Sequence, residues 1–484
     1  MLRFSVVPQY RRLAVVALLF ACGQATALGD RAAVVEKASA PKIVRAAPEE
    51  SASAAAQPAP LARGPLDNTA ALKRFFEALA KIDDGTAQDD VRIVQFGDSH
   101  TAADLETGTV RHDLQARFGD GGRGFVEIGR PYRYYWQDGL KSPGMTRDFH
   151  AERGKLEHGK FVGDGCYGLG GVCLVTSARD ARAWAELASP SSKIEVDYWE
   201  QPGGGSFDLL IDGSPVLTVK TRGAEPKSAF QSVVVPDGPH KVEVRARGDG
   251  EVRVFGVTLD RDRNGVVYDA LGLNGARAST TLQWSEAHMT EQLRHTAPDL
   301  VVLAYGTNES ADEEPIDTVS REITLALGRV ERAVPTAACL LLGPPDRAVR
   351  TQSDNPYTSD AGTFWATSPR LEQIIAAERK IADAAGCAFY DQMAAMGGPG
   401  TIAAWADMEP PRAQRDRTHL TREGYAMLGN AFANDLLAAY AAFRAERGLA
   451  PKSPPPAPPL LPQPAPEQSA QPNAGTAPFV AIPL

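Results

Sequence analysis

Four short apolar runs, at residues 91–96, 300–305, 338–342 and 387–390, alternate with longer segments whose apolar positions recur at helical spacing. Those helical segments cover residues 101–118, 281–293, 318–334, 371–385 and 421–447. Strands separated by helices of such length cannot close as hairpins; they connect by crossovers, which predicts a parallel sheet covered by helices on both faces. Residues 68–81, with Leu72, Phe75, Phe76 and Leu79 on one side, predict a lead-in helix. The alternation is interrupted between residues 149 and 259, where helical spacing gives way to short alternating runs at 193–198, 207–211, 216–219, 241–245 and 252–254. Turn pairs Asp212-Gly213, Asp237-Gly238 and Asp249-Gly250 separate these runs, so the interruption reads as an all-β sandwich inserted into an α/β domain.

The ends of the chain have a different character. Arg3, Arg11 and Arg12 precede an apolar stretch at 13–21 that is short for a membrane span, the pattern of an export signal. Ala25-Thr26-Ala27 has the small-x-small form of a cleavage site, whereas Leu19-Phe20-Ala21-Cys22 resembles a lipoprotein box with a bulky Phe20. Simple export is therefore the favoured reading, and a lipid anchor at Cys22 the alternative. Residues 28–66 and 450–484 are rich in Ala and Pro without periodicity, which predicts a disordered linker and a Pro-rich tail. The expected organisation is a signal peptide at 1–27, the linker at 28–66, an α/β domain in two parts at 67–148 and 260–449, the insertion at 149–259 and the tail at 450–484. A net charge of −9 without a dense basic block argues against a nucleic-acid surface. Cys166 and Cys173 lie in a Gly-rich segment, where export predicts a local disulfide, while Cys339 and Cys387 are expected as buried free thiols. No cysteine or histidine cluster has metal-ligand spacing, and no cofactor is implied.

Four sites fall at the ends of the predicted elements. Gly97-Asp98-Ser99-His100 closes the first strand and opens a helix, a position where free N–H groups favour a developing negative charge at Ser99. Gly272-Leu273-Asn274-Gly275-Ala276 is a glycine turn able to bring a backbone N–H near a ligand. Tyr305-Gly306-Thr307-Asn308-Glu309 sets a carboxamide at the end of the next strand. Asp416-Arg417-Thr418-His419 sets a carboxylate and an imidazole three residues apart before the last helix. Each alone is as well explained by a cap, a loop or a surface acid. Together they fall where ligand sites form in open parallel sheets, at the strand C-termini. The aromatic cluster Tyr132, Tyr134, Tyr135 and Trp136 is expected to fill core in preference to stacking on sugars.

In order and content these four blocks resemble the SGNH (GDSL-like) hydrolases, a resemblance that covers about half the chain. The variant GDSH, the Asp-Gly-Gly stretch at 120–122, the β insertion and Gly306-Thr307-Asn308-Glu309 are similar to bacterial peptidoglycan O-acetylesterases and O-acetyltransferases, whose insertion resembles a carbohydrate-binding module. The resemblance implies a three-layer, flavodoxin-like sheet and an acyl-enzyme mechanism. Ser99 would be the nucleophile, His419 the base and Asp416 its orienting acid. The Ser99 N–H, the Gly275 N–H and the Asn308 side chain would form the oxyanion hole, with Asp98 as structural support and His100 without a role. The expected activity is removal of O-acetyl groups from an envelope glycan, peptidoglycan being the expected partner. Acetyl transfer, an inactive carbohydrate-binding protein and a lipase-like enzyme stand as alternatives.

Overall fold

The computed structural model describes residues 66–157, 160–352 and 363–449. The expected signal peptide, Cys22, the linker up to residue 65 and the Pro-rich tail lie outside them. A central six-stranded sheet is formed by β1 (Leu66–Asp67), β2 (Val91–Gly97), β3 (Val266–Gly272), β4 (Leu300–Ala304), β5 (Ala338–Gly343) and β6 (Ala388–Asp391), in spatial order β1-β6-β5-β4-β2-β3. Five strands are parallel, and only β1 runs antiparallel, against β6. The parallel strands thus follow the doubly wound order 2-1-3-4-5, whose switch point lies between β2 and β4.

Helices cover both faces. Leu72, Phe76 from α1 (Lys73–Asp83), Leu114 from α3 (Glu106–Phe118) and Leu428 and Phe432 from α7 (Arg422–Glu446) pack with Ile93 and Tyr268 on one side. Leu293 from α4 (Glu286–Thr296), Ile323 from α5 (Ile316–Ala333) and Leu371 from α6 (Pro369–Ala385) pack with Val94, Phe96 and Val301 on the other. β2 and β4 are thereby buried on both faces, which is why β4 is apolar without alternation and β2 is apolar but for Arg92 and Gln95, whose polar ends are paired. The helix expected at 101–118 is broken: a turn, α2 (Ser99–Ala102), is separated from α3 by Asp104, which has φ +45°. The fully buried Asp104 carboxylate accepts from Arg111, Arg123, Thr107 and the Asp138 N–H, so the break is set by an internal ion cluster.

The insertion is a sandwich of two antiparallel sheets whose inner faces meet at Val196, Phe207, Leu209, Val244 and Val254. One sheet has the order Lys227–Gly238, Ser191–Glu200, Val252–Asp260, Cys173–Thr176, His150–Glu152. The other has the order Ser214–Lys220, Ser206–Ile211, Lys241–Ala246, Arg182–Glu186, Gly144–Met145. Two strands that precede residue 149 also join these sheets: Gly144–Met145, and Gly122–Val126, which pairs with Val252–Asp260. Their glycines disguise them as linker in the sequence. The aromatic cluster divides, with Tyr135 buried in the sandwich core and Tyr134 43% exposed.

The cysteine expectation is reversed. Cys339 and Cys387 form a disulfide, and Cys166 and Cys173 are free thiols. The reason is register: β5 and β6 pair Leu340 with Ala388, which sets the preceding residues side by side with Cα atoms 5.0 Å apart. The bond closes a separation of 48 residues. The chain-entropy relation for such a loop gives about 4 kcal/mol, and measured losses fall at about 2–5 kcal/mol. The double variant Cys339→Ser/Cys387→Ser is therefore expected to lose stability in that range, read by urea denaturation against the oxidised protein.

Candidate active site

Three strand ends set the site. β2 pairs in parallel with β3 and β4 so that Gly97 lies level with both Gly272 and Ala304. A side chain at Gly97 would collide with Thr101 Oγ1 and approach the Ala304 carbonyl, and one at Gly272 would strike the backbone of Ala102. The two glycines therefore let α2 lie directly on the ends of the strands. Beneath it, Tyr268 donates its hydroxyl to Gln95 Oε1 at 2.6 Å, and Gln95 Nε2 donates to Thr101 Oγ1 at 2.9 Å. Ser99 is thus held by its neighbours above a rigid sheet. The four-residue α2 supplies local N–H groups, not the dipole of a long helix.

Ser99 Oγ is 2.9 Å from His419 Nε2, and His419 Nδ1 is 2.7 Å from Asp416 Oδ2. An ionised Asp416 accepts, so the Nδ1 carries the proton and the Nε2 lone pair faces the serine hydroxyl. Asp416 Oδ1 also accepts the N–H groups of Thr418 and His419, both at 3.0 Å, folding the acid and base into one turn. Burial alone would raise the Asp416 pKa, but the bond and charge of His419, with those N–H groups, bring it down to about 2. Both side chains remain about a third exposed, at 36% and 35%. The turn is strained at Arg417, with φ +52°. Its guanidinium lies 4.5 Å from the Trp365 ring centre and 2.8 Å from Asp407, and its carbonyl accepts from the Ala348 N–H.

The other expected residues gather beside this chain of bonds. Asp98 caps α2 by accepting the His100 N–H at 2.9 Å. Asn308 Nδ2 donates to the Ala276 carbonyl at 2.9 Å and lies 3.4 Å from Asp98 Oδ2. One carboxamide therefore ties the third block to the glycine turn and to the first block. Gly275 has φ +77°, and open space lies where a side chain would be. The long contact to Asp98 is the one Asn308 could exchange for an oxyanion at small cost.

Two residues without an assigned role complete the scaffold. Glu309, 2% exposed, accepts from the Gly306 N–H at 3.0 Å and the Ala278 N–H at 2.8 Å, fixing both turns. His100 is buried, bonds to the Tyr425 hydroxyl through Nδ1 at 2.9 Å, and packs 5.4 Å from the His419 ring. Burial, then the charge of His419, pushes its pKa down to about 3, which keeps it neutral. Glu309 was visible in its block, but only packing reveals a buried bidentate acceptor. Tyr425 carried no signal, since it sits among the apolar positions of α7. Among the described residues, the one group with metal-like proximity is Glu331, Cys339 and Cys387, and two of its members are joined in the disulfide.

The GDSL-like lipase/acylhydrolase family matches residues 238–427. No curated protein sequence matches. Among solved structures, a peptidoglycan O-acetylesterase superposes with a TM-score of 0.60 at 22% identity, covering 76% of this chain and 96% of that one, and shares the fold. A family two carbohydrate esterase from Clostridium thermocellum in complex with cellohexaose covers 57% and 95% with a TM-score of 0.25 at 10% identity. The salicylyl-acyltransferase SsfX3 covers 63% and 98% with a TM-score of 0.26 at 13% identity.

Burial first, then the negative charge of Glu309, pushes the Asp98 carboxyl up to about 7 against the hydrogen bond from His100. A carboxyl raised on folding binds its proton more tightly in the folded state. Its contribution is fully present below the unfolded value of about 4 and is lost as pH rises through about 7. Asp98→Asn keeps the capping oxygen but cannot ionise. It is expected to flatten the fall in stability between pH 4.5 and 8, measured by urea denaturation across that range.

Proposed function

We propose that Ser99, His419 and Asp416 carry out acyl transfer through an acyl-enzyme, a reading supported by the match of residues 238–427 to the GDSL-like lipase/acylhydrolase family. The observation that carries this reading is the unbroken chain Asp416–His419–Ser99, at 2.7 and 2.9 Å. His419 Nε2 takes the Ser99 proton as Oγ attacks the ester carbonyl, and Asp416 stabilises the imidazolium that forms. The Ser99 and Gly275 N–H groups and the Asn308 carboxamide hold the oxyanion. His419 then returns the proton to the leaving alkoxide, and a water activated by the same base releases the acid.

For the substrate, we propose an O-acetylated envelope glycan, peptidoglycan first among candidates. Support comes from the fold shared with a peptidoglycan O-acetylesterase over 76% of this chain. The Arg-rich, apolar N-terminal sequence, ahead of a linker, supports export to the envelope. No helix of the described residues is long and apolar enough to cross a membrane. Hydrolysis is favoured over transfer because the Asp416–His419 pair is open to solvent.

Ser99→Ala is expected to abolish acetate release. Asn308→Ala should lower kcat by about 10²–10³-fold, the usual loss of one oxyanion donor. The deciding assay supplies O-acetylated peptidoglycan, and simple esters of increasing acyl length, to wild type. Free acetate with short-chain preference is the expected result. Acetyl appearing on an added glycan acceptor would make the enzyme a transferase, and preference for long chains would refute an O-acetylesterase.

A further inference from the structure

His100 is next to Ser99 in sequence and next to His419 in space. It belongs to α2, which lies on the strand ends because Gly97 and Gly272 carry no side chains. Its ring centre is 5.4 Å from that of His419, with the two planes tilted by 31°. That separation is within the range of about 4.5–7 Å over which aromatic rings interact. Tyr425 of α7 approaches His100 edge-on, with ring centres 5.8 Å apart, and its hydroxyl meets His100 Nδ1 at 2.9 Å. Burial pushes the Tyr425 pKa well above the ordinary tyrosine value. The hydroxyl therefore keeps its proton and donates to Nδ1, which places the His100 proton on Nε2.

The bonds at His419 leave one motion open. Nδ1 is tied to Asp416 at 2.7 Å and Nε2 to Ser99 at 2.9 Å. Bonds at the two nitrogens fix the line through them but not the roll of the ring about that line. Such a roll tilts the Nε2 lone pair away from the serine hydroxyl, and a hydrogen bond weakens steeply as its alignment is lost. The His100 ring stands where it blocks that roll. Packing alone does not account for an imidazole there. His100 Nε2 is buried without a hydrogen-bond partner, a state that an aliphatic side chain of similar size would avoid. The ring also stays neutral, as it must, since a second charge at this distance would oppose the imidazolium that forms on His419.

We infer that His100, locked by Tyr425, is a positioning residue for the base: it closes one face of the His419 imidazole and keeps Nε2 aimed at Ser99 Oγ. The inference rests on the acyl-transfer role proposed above for Ser99, His419 and Asp416. Ser99 and His100 are adjacent in α2, so one short helix sets both the nucleophile and the wall against which the base lies. Tyr425 stands in the first turns of α7, directly after the Asp416–His419 turn. The clamp therefore joins the two sequence blocks that carry the three residues, independently of the bond between Ser99 and His419.

The test compares the full wild-type chain with His100→Asn and with the double variant His100→Leu/Tyr425→Phe. Three readouts are taken: the thermal midpoint, kcat and KM for p-nitrophenyl acetate, and the rate at which a fluorophosphonate labels Ser99. His100→Asn keeps an acceptor for Tyr425 but removes the ring. The double variant removes both polar groups together, a change close to neutral for stability, so its midpoint is expected to stay near that of wild type. Both variants should lower kcat and the labelling rate by about 10–100-fold with KM nearly unchanged, the loss that follows a misplacement of about 1 Å. If the double variant does not fold, His100→Asn carries the same expectation. Wild-type kcat and labelling in a folded variant overturn the inference. A fall in kcat that tracks a raised KM or a lowered midpoint also overturns it, leaving His100 a packing role alone. Failure of the underlying reading has a different signature: wild type itself is then neither labelled at Ser99 nor active, and the inference falls with it.

Discussion

β2 is hydrogen-bonded in parallel on both sides, and nearly everything about the site follows from that pairing. Its registers with β3 and β4 bring Gly97, Gly272 and Ala304 to one level. The turns after these residues carry Ser99, Gly275 and Asn308, so three groups far apart in sequence begin from neighbouring points. Strand order reverses here, and adjacent connections leave to opposite faces, opening a crevice without any specialised loop. The absence of side chains at Gly97 and Gly272 then lets α2 settle onto the strand ends. A sheet stiffened by pairing on both edges of β2 is a suitable base for the nucleophile proposed at Ser99, which would have to be held within a fraction of an ångström.

Electrostatics divides the site into two layers. The upper layer, Asp416 and His419, is partly exposed, and its acid is kept ionised by bonds from the base it orients. The lower layer, Asp98 and Glu309, is buried, and desolvation pushes both carboxyls upward. Their oxygens fix turns through the N–H groups of His100, Gly306 and Ala278. Burying such groups is unfavourable except where every turn they fix is needed, so their presence under Ser99 is evidence of pre-organisation. His100 belongs to this lower layer, since it is neutral and links the first block to α7 through Tyr425.

The sandwich interrupts the α/β domain within its first crossover, between α3 and β3, and the family match over residues 238–427 begins inside the sandwich and leaves out the segment carrying Ser99. The join is not a flexible tether. Gly122–Val126, directly after α3, pairs with Val252–Asp260 of the sandwich, and Phe125 donates its N–H to Asp269 of β3. Arg92 and the acids around it occupy the same junction. The two parts therefore share strand pairing and ion pairs, and the sandwich is fixed with respect to the six-stranded sheet.

The alternation of strands and helices was legible in the sequence because burial on both faces leaves continuous apolar runs, and the four blocks were legible because turns at strand ends need Gly, Asp and Asn. β3 escaped notice: Asp269 interrupts its apolar run, and only the fold shows that Arg92 and the Phe125 N–H accommodate that charge. The break at Asp104, the roles of Glu309 and Tyr425, and the Cys339–Cys387 bond were equally invisible. Each depends on which residues become neighbours across long sequence separations, and register decides that, not composition. The sequence by itself determined which elements form and which residue types stand at their ends. The tertiary structure decided which of those ends meet, because parallel pairing fixes the level of every strand and local sequence does not encode its partner.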